Sequence, residues 1–339
     1  MTDSSPTRTL RLGTRGSQLA RWQAEWVTAE LQRRGYQVKL VEIATQGEID
    51  RTRSIEAIGT QGVFTKAIQQ ALLAGEVDLA VHSLKDLPTV PVDGLMLAAV
   101  PPRESPADAL IVARGAMSKE QAIAEGRTVG ALIKFDQFDA LSMLPQQARI
   151  GTGSLRRQAQ LRHARPDLRV ADVRGNVETR LRKLDDGQFD AIVLAEAGLR
   201  RLGLADRIAH LLPFNVMLPA VGQGALGIEC RRNDHETLVA LASLNDPATH
   251  AAILAERALL AYLRGGCMAP VGALAVVDGH ALKLQAVVLS ADGSQRLFAN
   301  DSGTPHEASD VGRRVADALL AQGAAELIAG SRSENNHGS

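Results

Sequence analysis

The amino-acid sequence predicts two α/β domains followed by a smaller α+β domain. Strand and helix patterns alternate through the first 100 residues and again between residues 148 and 194, which favours sheets with parallel strands and crossover helices. Near residue 245 the pattern changes to a helix, a β-hairpin and a further helix. With 339 residues, the chain is too long for one ordinary core, which agrees with three domains of roughly 100 residues each.

The first α/β domain is predicted from five elements in strand–helix–strand order. Apolar residues recur on one face of a helix between Ser17 and Gly35. Ser17 is predicted to cap this helix, and Gly35 is predicted to end it. A second helix leads directly into an apolar, buried strand. The elements are a strand at 9–13, a helix at 17–35, a strand at 38–44, a helix at 64–75 and a strand at 78–82.

The remaining elements follow the same reasoning. The second domain has strands at 148–151, 168–173 and 189–194, with a helix at 155–165 and another that Asn176 caps and that runs through Leu184, just before Gly187. A strand-like segment at 225–230 is expected to return to the first domain. The third domain has a helix at 245–264, strands at 272–277 and 281–289, and a helix at 307–330. We expect residues 331–339 to be disordered and residues 115–137 to form a surface excursion.

Composition excludes several functional classes. The 38 basic and 38 acidic residues give a net charge of zero, and aromatic residues make up only 3%, which argues against a nucleic-acid or membrane-surface binder. No apolar run approaches the ~20 residues that span a bilayer, and the first ten residues carry no apolar signal core. Two distant cysteines suggest no disulfide framework. We therefore expect a soluble cytoplasmic protein, with no cluster of metal-ligand spacing.

Three loops stand where a strand turns into a helix, at 13–17, 151–154 and 174–176. A helix start presents unpaired N–H groups to an anion, and Thr and Ser hydroxyls add donors. For any single loop, small residues that simply make turns and caps are the competing interpretation. The segment from 149 to 207 also holds twelve arginines and one lysine against eight acidic residues. Together these features predict a polyanionic, carboxylate-rich ligand, bound by Arg156, Arg157, Arg174, Arg180 and Arg201.

Two further residues are candidates for chemistry. Asp86 follows the buried strand of the first domain, where α/β sheets place ligand chemistry, and a fixed carboxylate there suits a cation that forms during a reaction. Cys267 lies after two glycines and three residues before Pro270, in a turn that lifts its thiol out of regular structure. The competing interpretations are a turn-forming aspartate and a small buried hydrophobe. His82 is expected to be a hydrogen-bonded core histidine.

The chain resembles the hydroxymethylbilane synthase family, also called porphobilinogen deaminase. The match runs from about Leu10 to Gly330, and several independent motifs occur in the family's order. These motifs are TRGS at 14–17, AVHSLKD at 80–86, SLRRQ at 154–158, RGNV at 174–177, LPAVGQG at 218–224 and GGC at 265–267.

The resemblance implies an activity. Members of the family join four molecules of porphobilinogen head to tail, release ammonia each time, and hydrolyse the product to the linear hydroxymethylbilane. By resemblance, Asp86 is the catalytic residue that stabilises the cation left when ammonia departs, and Cys267 holds a dipyrromethane cofactor through a thioether. The cofactor-binding residues implied are Ser83, Lys85, Asp86, Thr152, Ser154, Arg156, Arg157 and Arg174. The substrate-binding residues implied are Arg15, Ser17, Arg180, Arg201 and Gln223.

The resemblance also implies a fold of two α/β domains like those of periplasmic solute-binding proteins, with a third, α+β domain carrying the cysteine. The first domain then covers 7–103 and 219–243, the second 104–218 and the third 244–330, and we expect a monomer. The sequence departs from the family pattern at Gly153, where a serine is common, at Gln61, where a lysine is frequent, and in the long excursion at 115–137.

Two rival functions remain from the residues alone. A non-catalytic two-lobed protein that binds a polycarboxylate would explain the arginines but gives Cys267 no role. A nucleic-acid binder would use the arginines of 149–207, against the zero net charge.

Overall fold

The computed structural model describes residues 8–43, 63–113, 140–266 and 269–337. Its described strands are β1 Leu10–Thr14, β2 Val38–Glu42, β3 Leu79–Ser83, β4 Leu95–Ala99, β5 Asp108–Val112, β6 Arg149–Gly151, β7 Arg169–Ala171, β8 Ala191–Ala195, β9 His210–Leu212, β10 Leu226–Arg231, β11 Val271–Asp278, β12 Ala281–Leu289 and β13 Arg296–Gly303. Its described helices are α1 Gln18–Gln32, α2 Val63–Leu73, α3 Leu155–Ala164, α4 Val177–Asp185, α5 Glu196–Arg201, α6 His235–Ala242, α7 Pro247–Tyr262, α8 Ala308–Leu320 and α9 Ala324–His337.

The first sheet has five strands in the order β2-β1-β3-β10-β4. Strand β1 pairs in parallel with β2 and β3, as the alternation of strands and helices predicts. Strand β10, from much later in the chain, lies antiparallel between β3 and β4. The predicted return of the segment at 225–230 to the first sheet is therefore confirmed. The fully buried Leu12, Leu79 and Ile228 form the core of this sheet with residues of α1.

The second sheet also has five strands, in the order β7-β6-β8-β5-β9. Strand β6 pairs in parallel with β7 and β8, whereas β5 is antiparallel to β8 and β9. Both sheets thus combine a parallel centre with an antiparallel strand, and the predicted fold class of two α/β units and a smaller α+β unit is confirmed.

Helix caps agree with the sequence. Ser17 precedes α1, and its hydroxyl accepts a hydrogen bond from the N–H of Ala20. Asn176 precedes α4 and accepts from the N–H of Thr179 at 2.9 Å. Both side chains satisfy N–H groups that have no partner within the first turn of their helix. These caps fix where the two helices begin, at the carboxyl ends of β1 and β7.

The third sheet is an antiparallel meander of β11, β12 and β13 covered by α7 and α8. The single helix predicted at 307–330 is instead two helices, since the chain turns at Gly323 with φ +99°. The prediction of disorder from residue 331 is also corrected, because α9 continues to His337. Buried Ala324 and Ile328 anchor this helix to the core of the third sheet.

Glu256 of α7 joins the third unit to the two connections between the other sheets. Its side chain is fully buried and receives Arg103, which lies between β4 and β5, at 2.7 Å. It also accepts from the N–H of Gly222 at 2.7 Å and from that of Ala275 at 2.9 Å. Arg103 in turn donates through Nε to the carbonyl of Gln223 at 2.8 Å. One carboxylate therefore links α7, β11 and both connecting segments.

Replacing this carboxylate is expected to destabilise the whole chain. Glu256→Ala leaves Arg103 and two N–H groups without their buried acceptor, so the free energy of unfolding should fall by about 3–5 kcal/mol in urea denaturation. Glu236→Ala is the matched control, because Glu236 is 57% exposed in its pair with Arg8 and should contribute less than about 1 kcal/mol. Equal losses in both variants would contradict this account of the junction.

Candidate active site

Asp86 lies at the carboxyl end of β3, as the sequence predicts. A single 3₁₀ turn, Leu84–Asp86, follows the strand directly, with Leu84 buried and Asp86 exposed. Ser83 ends β3, and its hydroxyl accepts from the amide of Gln23 in α1 at 2.7 Å. The buried leucine and the bonded serine therefore hold a short turn that presents the carboxylate outward.

Behind this turn, β3 is supported by a buried polar group. His82 is 6% exposed and its Nε2 lies 3.1 Å from a carboxylate oxygen of Glu229 in β10. The amide of Gln69 in α2 donates to both oxygens of the same carboxylate. His82 is thus buried in the core, as expected, but its Nε2 makes no hydrogen bond despite the carboxylate 3.1 Å away, so the expected hydrogen bond at that atom is not found.

Arg156 and Arg157 lie at the start of α3 and are both buried. The Nη1 group of Arg156 donates to Oδ2 of Asp108 at 2.7 Å and to the carbonyl of Leu218 at 2.6 Å. Arg157 donates through Nε to Oδ1 of Asp108 at 2.9 Å and through Nη1 to the carbonyl of Val193 at 3.0 Å. Both guanidinium groups are therefore held around one buried carboxylate, and their contacts with a cofactor stay predictions.

Gln223 completes this buried cluster. Its Nε2 group donates to Asp108 at 2.9 Å and to the carbonyl of Pro106 at 2.7 Å, while its oxygen accepts from Arg157 at 3.4 Å. The side chain is 1% exposed. Every polar end of the amide thus binds a protein group, and the predicted contact of Gln223 with substrate stays a prediction.

The loop that carries Gln223 depends on glycine at its next position. Gly224 has φ +86°, and a Cβ there would lie 2.3 Å from the carbonyl oxygen of Glu104. No side chain fits that distance, so residue 224 must be glycine for the two connecting segments to pass each other. At Gly222 a Cβ would lie 3.2 Å from the backbone nitrogen of Lys85. The same loop therefore packs directly against the turn that carries Asp86.

The charges around Asp86 act on one another. The pKa of Lys85 is lowered by desolvation above all, and further by Arg157 and Arg156, while Asp86 and Asp108 oppose the shift. The pKa of Arg180 is lowered by desolvation and by Arg157, with Asp172 and Asp86 acting in the opposite direction. These four charged groups therefore lie close enough to act on one another, and their sharing of one ligand site stays a prediction.

Arg201 bridges the two sheets. Its guanidinium lies over the ring of Trp22 in α1, 5.7 Å from the centroid, and donates to the carbonyl of Gly224 at 2.7 Å. Desolvation lowers its pKa, and Glu104 opposes that shift. Arg15 is half-buried in the loop between β1 and α1. These positions keep both arginines as candidates at the cleft between the first two sheets.

The other predicted residues lie on loops at the ends of β6 and β7. Thr152 is fully buried, and its hydroxyl accepts from the N–H of Ser154 at 3.3 Å. Ser154 precedes α3 with no hydrogen bond from its side chain to the helix. Arg174 is exposed and donates through Nε to Asp172 at 2.8 Å. All three occur at the same edge of the second sheet as Arg156 and Arg157.

Cys267, Gln61 and the excursion at 115–137 lie outside the described residues. Gly266, the residue before the cysteine, lines a cavity of about 230 Å³ together with Leu84, Lys85 and Arg257 of α7. Arg257 donates to the carbonyls of Leu87 and Pro88 and so ties α7 to the segment after Asp86. The chain therefore approaches residue 267 beside the turn that carries Asp86.

Metal ligands, membrane spans and the second cysteine can be assessed in the described residues. In the four described ranges, no group of three His, Cys, Asp or Glu side chains is placed to hold a metal ion. Within those ranges, too, every helix is too short or too polar to cross a bilayer. Cys230 is buried, and burial raises the pKa of its thiol to about 11, so it stays protonated and is a poor nucleophile at neutral pH.

Three residues of this arrangement were missed from the sequence: Asp108, Arg103 and Glu256. Asp108 is the first residue of the apolar strand β5. A carboxylate at the start of a buried apolar segment needs a cationic partner, and this requirement is the signal that could have identified Asp108. Arg103 and Glu256 are 153 residues apart, and nothing local to either residue indicates their pairing.

The fold defines a two-lobed α/β protein with a smaller third unit, and cationic side chains such as Arg201 lie where the two lobes meet. Residues 10–239 match the family model described as porphobilinogen deaminase, dipyromethane cofactor binding domain. Residues 250–321 match the porphobilinogen deaminase C-terminal domain. The chain belongs to the porphobilinogen deaminase family.

Two curated relatives agree with this assignment. A porphobilinogen deaminase of Syntrophotalea carbinolica is 46% identical over 322 residues, which cover 94% of this chain and 95% of that protein. The protein of the same name from Synechococcus elongatus is 46% identical over 329 residues and covers 96% of each chain. Among solved structures, a periplasmic substrate-binding protein of an ABC transporter from Coxiella burnetii aligns with a TM-score of 0.40 at 15% identity, covering 70% of this chain and 93% of that one.

The buried Asp108 should make stability depend on pH in acid. Burial raises its pKa, but Arg156, Arg157 and Gln223 outweigh that effect and lower the pKa to about 2. A carboxyl whose pKa is lower in the folded than in the unfolded chain contributes stability above about pH 4 and loses it towards pH 2. That contribution is about 2 kcal/mol at neutral pH.

The test compares the native chain with Asp108→Asn. The variant starts less stable because two buried guanidinium groups lose their counter-charge. Its free energy of unfolding should then fall less steeply between pH 4 and pH 2 than that of the native chain, as measured by urea denaturation at each pH. Parallel curves would show that Asp108 is not held ionised by its partners.

Proposed function

We propose that this chain joins porphobilinogen molecules head to tail with loss of ammonia, four in all, and releases the linear product by hydrolysis, with Asp86 as the catalytic carboxylate. Membership of the porphobilinogen deaminase family supports the activity. The observation that carries the assignment of Asp86 is its place at the end of β3, where it acts on the charges of Lys85 and Arg180. An exposed carboxylate beside half-buried cations can bind a substrate that carries both a positive and a negative charge.

The negative charges of the substrate explain why the proposed site contains several arginines. Porphobilinogen carries an acetate and a propionate, so every unit brings two carboxylates that planar guanidinium groups can bind through two hydrogen bonds. We assign this binding to the substrate residues named from the sequence, which are Arg15, Ser17, Arg180, Arg201 and Gln223. Arg180 and Arg201 are supported further, because desolvation lowers the pKa of both and an incoming anion would compensate their charge.

Asp86 acts at the place where positive charge develops on the substrate. Each condensation breaks the C–N bond and releases ammonia, forms a C–C bond between the resulting methylene carbon and a ring carbon of another pyrrole, and releases the proton from that ring carbon. Loss of ammonia leaves a cation on the substrate, and a carboxylate already fixed beside it lowers the free energy of that state without reorganising. The 3₁₀ turn anchored by buried Leu84 supplies the fixed position.

The described residues fit the dipyrromethane group that the family implies. This group, when bound through Cys267, supplies the covalent anchor at which the chain of pyrroles grows. Lys85, Arg157 and Arg174 provide cationic groups for its carboxylates, and the cavity beside Gly266 adjoins both Lys85 and the residue before the anchor. The full set proposed to hold it is Ser83, Lys85, Asp86, Thr152, Ser154, Arg156, Arg157 and Arg174, with Cys267.

The domain division is proposed along the same lines. The membership of β10 in the first sheet supports a first domain of 7–103 and 219–243, around a second domain of 104–218 and before a third domain of 244–330. A cytoplasmic location and a monomeric state stay predictions.

An intact-protein mass spectrum tests the proposal. The purified native chain should exceed its sequence mass by two linked pyrrole units, and Cys267→Ser should lose that excess because serine cannot form the thioether. Cys230→Ser is the matched control and should keep the excess, since Cys230 is buried in β10.

Porphobilinogen distinguishes the outcomes if the native chain carries no extra mass. A protein that lacks its cofactor should gain the excess on incubation with porphobilinogen and release ammonia. A native chain that gains no mass and releases no ammonia would contradict the proposal and favour a non-catalytic polycarboxylate-binding protein.

A further inference from the structure

Asp172 is a carboxylate at the edge of the site that neither the proposed substrate set nor the cofactor set includes. It is the first residue after β7, while Gly153 lies two residues after the neighbouring strand β6. These strands are parallel, with Gly151 opposite Ala171, and the N–H of Thr152 donates to the carbonyl of Ala171 at 2.9 Å. The segments that follow β6 and β7 therefore leave the sheet side by side, at Gly153 and at Asp172, on the edge where the proposed site lies.

The carboxylate of Asp172 binds Arg174 through a specific nitrogen. Nε of Arg174 lies 2.8 Å from Oδ2 of Asp172, and both side chains are exposed, Arg174 to 64% and Asp172 to 46%. A hydrogen bond to Nε restricts rotation of the guanidinium and so fixes the direction in which its plane points. The backbone around Arg174 is held as well, because Arg180 donates to the carbonyl of Gly175 at 2.8 Å and Lys183 to that of Arg174 at 3.3 Å.

Gly153 leaves the space that this carboxylate occupies. A Cβ at residue 153 would lie 2.9 Å from Oδ1 of Asp172 and 3.1 Å from the carbonyl oxygen of Val173. Any side chain at 153 must therefore displace the carboxylate or press on the backbone beside it. The glycine at 153 and the position of the Asp172 carboxylate are therefore coupled through the space between them.

We propose that Asp172 is a positioning residue that aims Arg174 at a ligand carboxylate, and that Gly153 is required to make room for it. The inference rests on the proposed function and extends it: Arg174, assigned above to the covalent group, also binds a carboxylate of the incoming pyrrole beside Arg180, which is why KM reports on its position. It gives the departure at Gly153 a role in ligand binding rather than the mere loss of a hydroxyl.

The competing role for Asp172 is electrostatic repulsion of the ligand. Its negative charge also acts on Arg180, so an anion here reduces the positive potential that attracts carboxylates. The two roles predict opposite effects when the carboxylate is removed: positioning predicts weaker ligand binding, and repulsion predicts tighter binding. The contact with Nε and the space left by Gly153 favour positioning.

The test uses the full chain with its covalent group and measures ammonia release from porphobilinogen. Asp172→Ala should raise KM about tenfold with kcat changed less than about threefold, since one charge-assisted contact that orients Arg174 is lost. Asp172→Asn keeps an oxygen acceptor for Nε and should remain within about threefold of the native KM. Gly153→Ala should raise KM as Asp172→Ala does, and the double variant should be no worse than Asp172→Ala alone.

A second readout follows Arg174 itself. Phenylglyoxal modifies accessible guanidinium groups, and peptide mass mapping should show faster modification of Arg174 in Asp172→Ala than in the native chain. Asp167→Ala is the matched control: Asp167 binds Nε of Arg165 at 2.7 Å, two residues away, at the other end of β7. It should speed the modification of Arg165 and leave KM unchanged.

Three results would overturn the inference. A lower KM in both Asp172→Ala and Asp172→Asn would show repulsion, and additive effects of Gly153→Ala and Asp172→Ala would show that Gly153 acts through Val173. Unchanged KM in all variants, with a native chain that releases ammonia, would show that Asp172 does not position Arg174. Failure of the native chain to release ammonia would instead contradict the proposed function.

Discussion

The buried carboxylate of Asp108 is the interaction on which the site depends most. It binds Arg156 and Arg157 of α3 and Gln223 of the connecting loop, so three distant parts of the chain meet at one fully buried charge. Two guanidinium groups could not stay buried without it, because desolvation of an unpaired charge costs several kcal/mol. Since Asp108 fixes Arg157, it also fixes a charge that acts on both Lys85 and Arg180.

The third unit is attached by a second buried carboxylate. Glu256 binds Arg103 and the N–H of Gly222, which belong to the two segments that connect the first and second sheets. The loop of Gly222 packs on the backbone of Lys85, and Gly266 lines a cavity with the same lysine. The segment that leads to Cys267 is thus connected, through the contacts of Lys85, to the turn that carries Asp86. Both segments that connect the two lobes are bound to α7, so a movement of one lobe relative to the other must involve these segments.

Local sequence patterns predicted much of this structure. The caps at Ser17 and Asn176, the parallel pairing around β1 and β6, the return of β10 and the place of Asp86 all follow from periodicity, turn chemistry and strand order. The arginine-rich loops were correctly placed at strand ends. These features depend on residues close together in the chain or on general rules of α/β topology.

The rest depends on contacts between distant residues. Nothing near Arg156 or Arg157 in the sequence reveals that Asp108, almost 50 residues earlier, takes up their charge. The prediction that both arginines bind a ligand therefore did not include their burial. The antiparallel strands β4, β5 and β9 were also missed, because short apolar segments without a crossover helix carry little periodicity. The split between α8 and α9 follows from tertiary packing of Ala324 and Ile328.

In the proposed function one carboxylate, Asp86, stabilises the cation formed when ammonia leaves. The most direct measurement is the rate of ammonia release from porphobilinogen per covalently loaded protein in Asp86→Asn, with Asp93→Asn as an exposed control in the segment before β4. We expect the asparagine at 86 to slow release about 10²-fold or more, because the amide is close in size but carries no charge, and the control to be unaffected. A loaded Asp86→Asn protein that releases ammonia at the native rate would contradict the account.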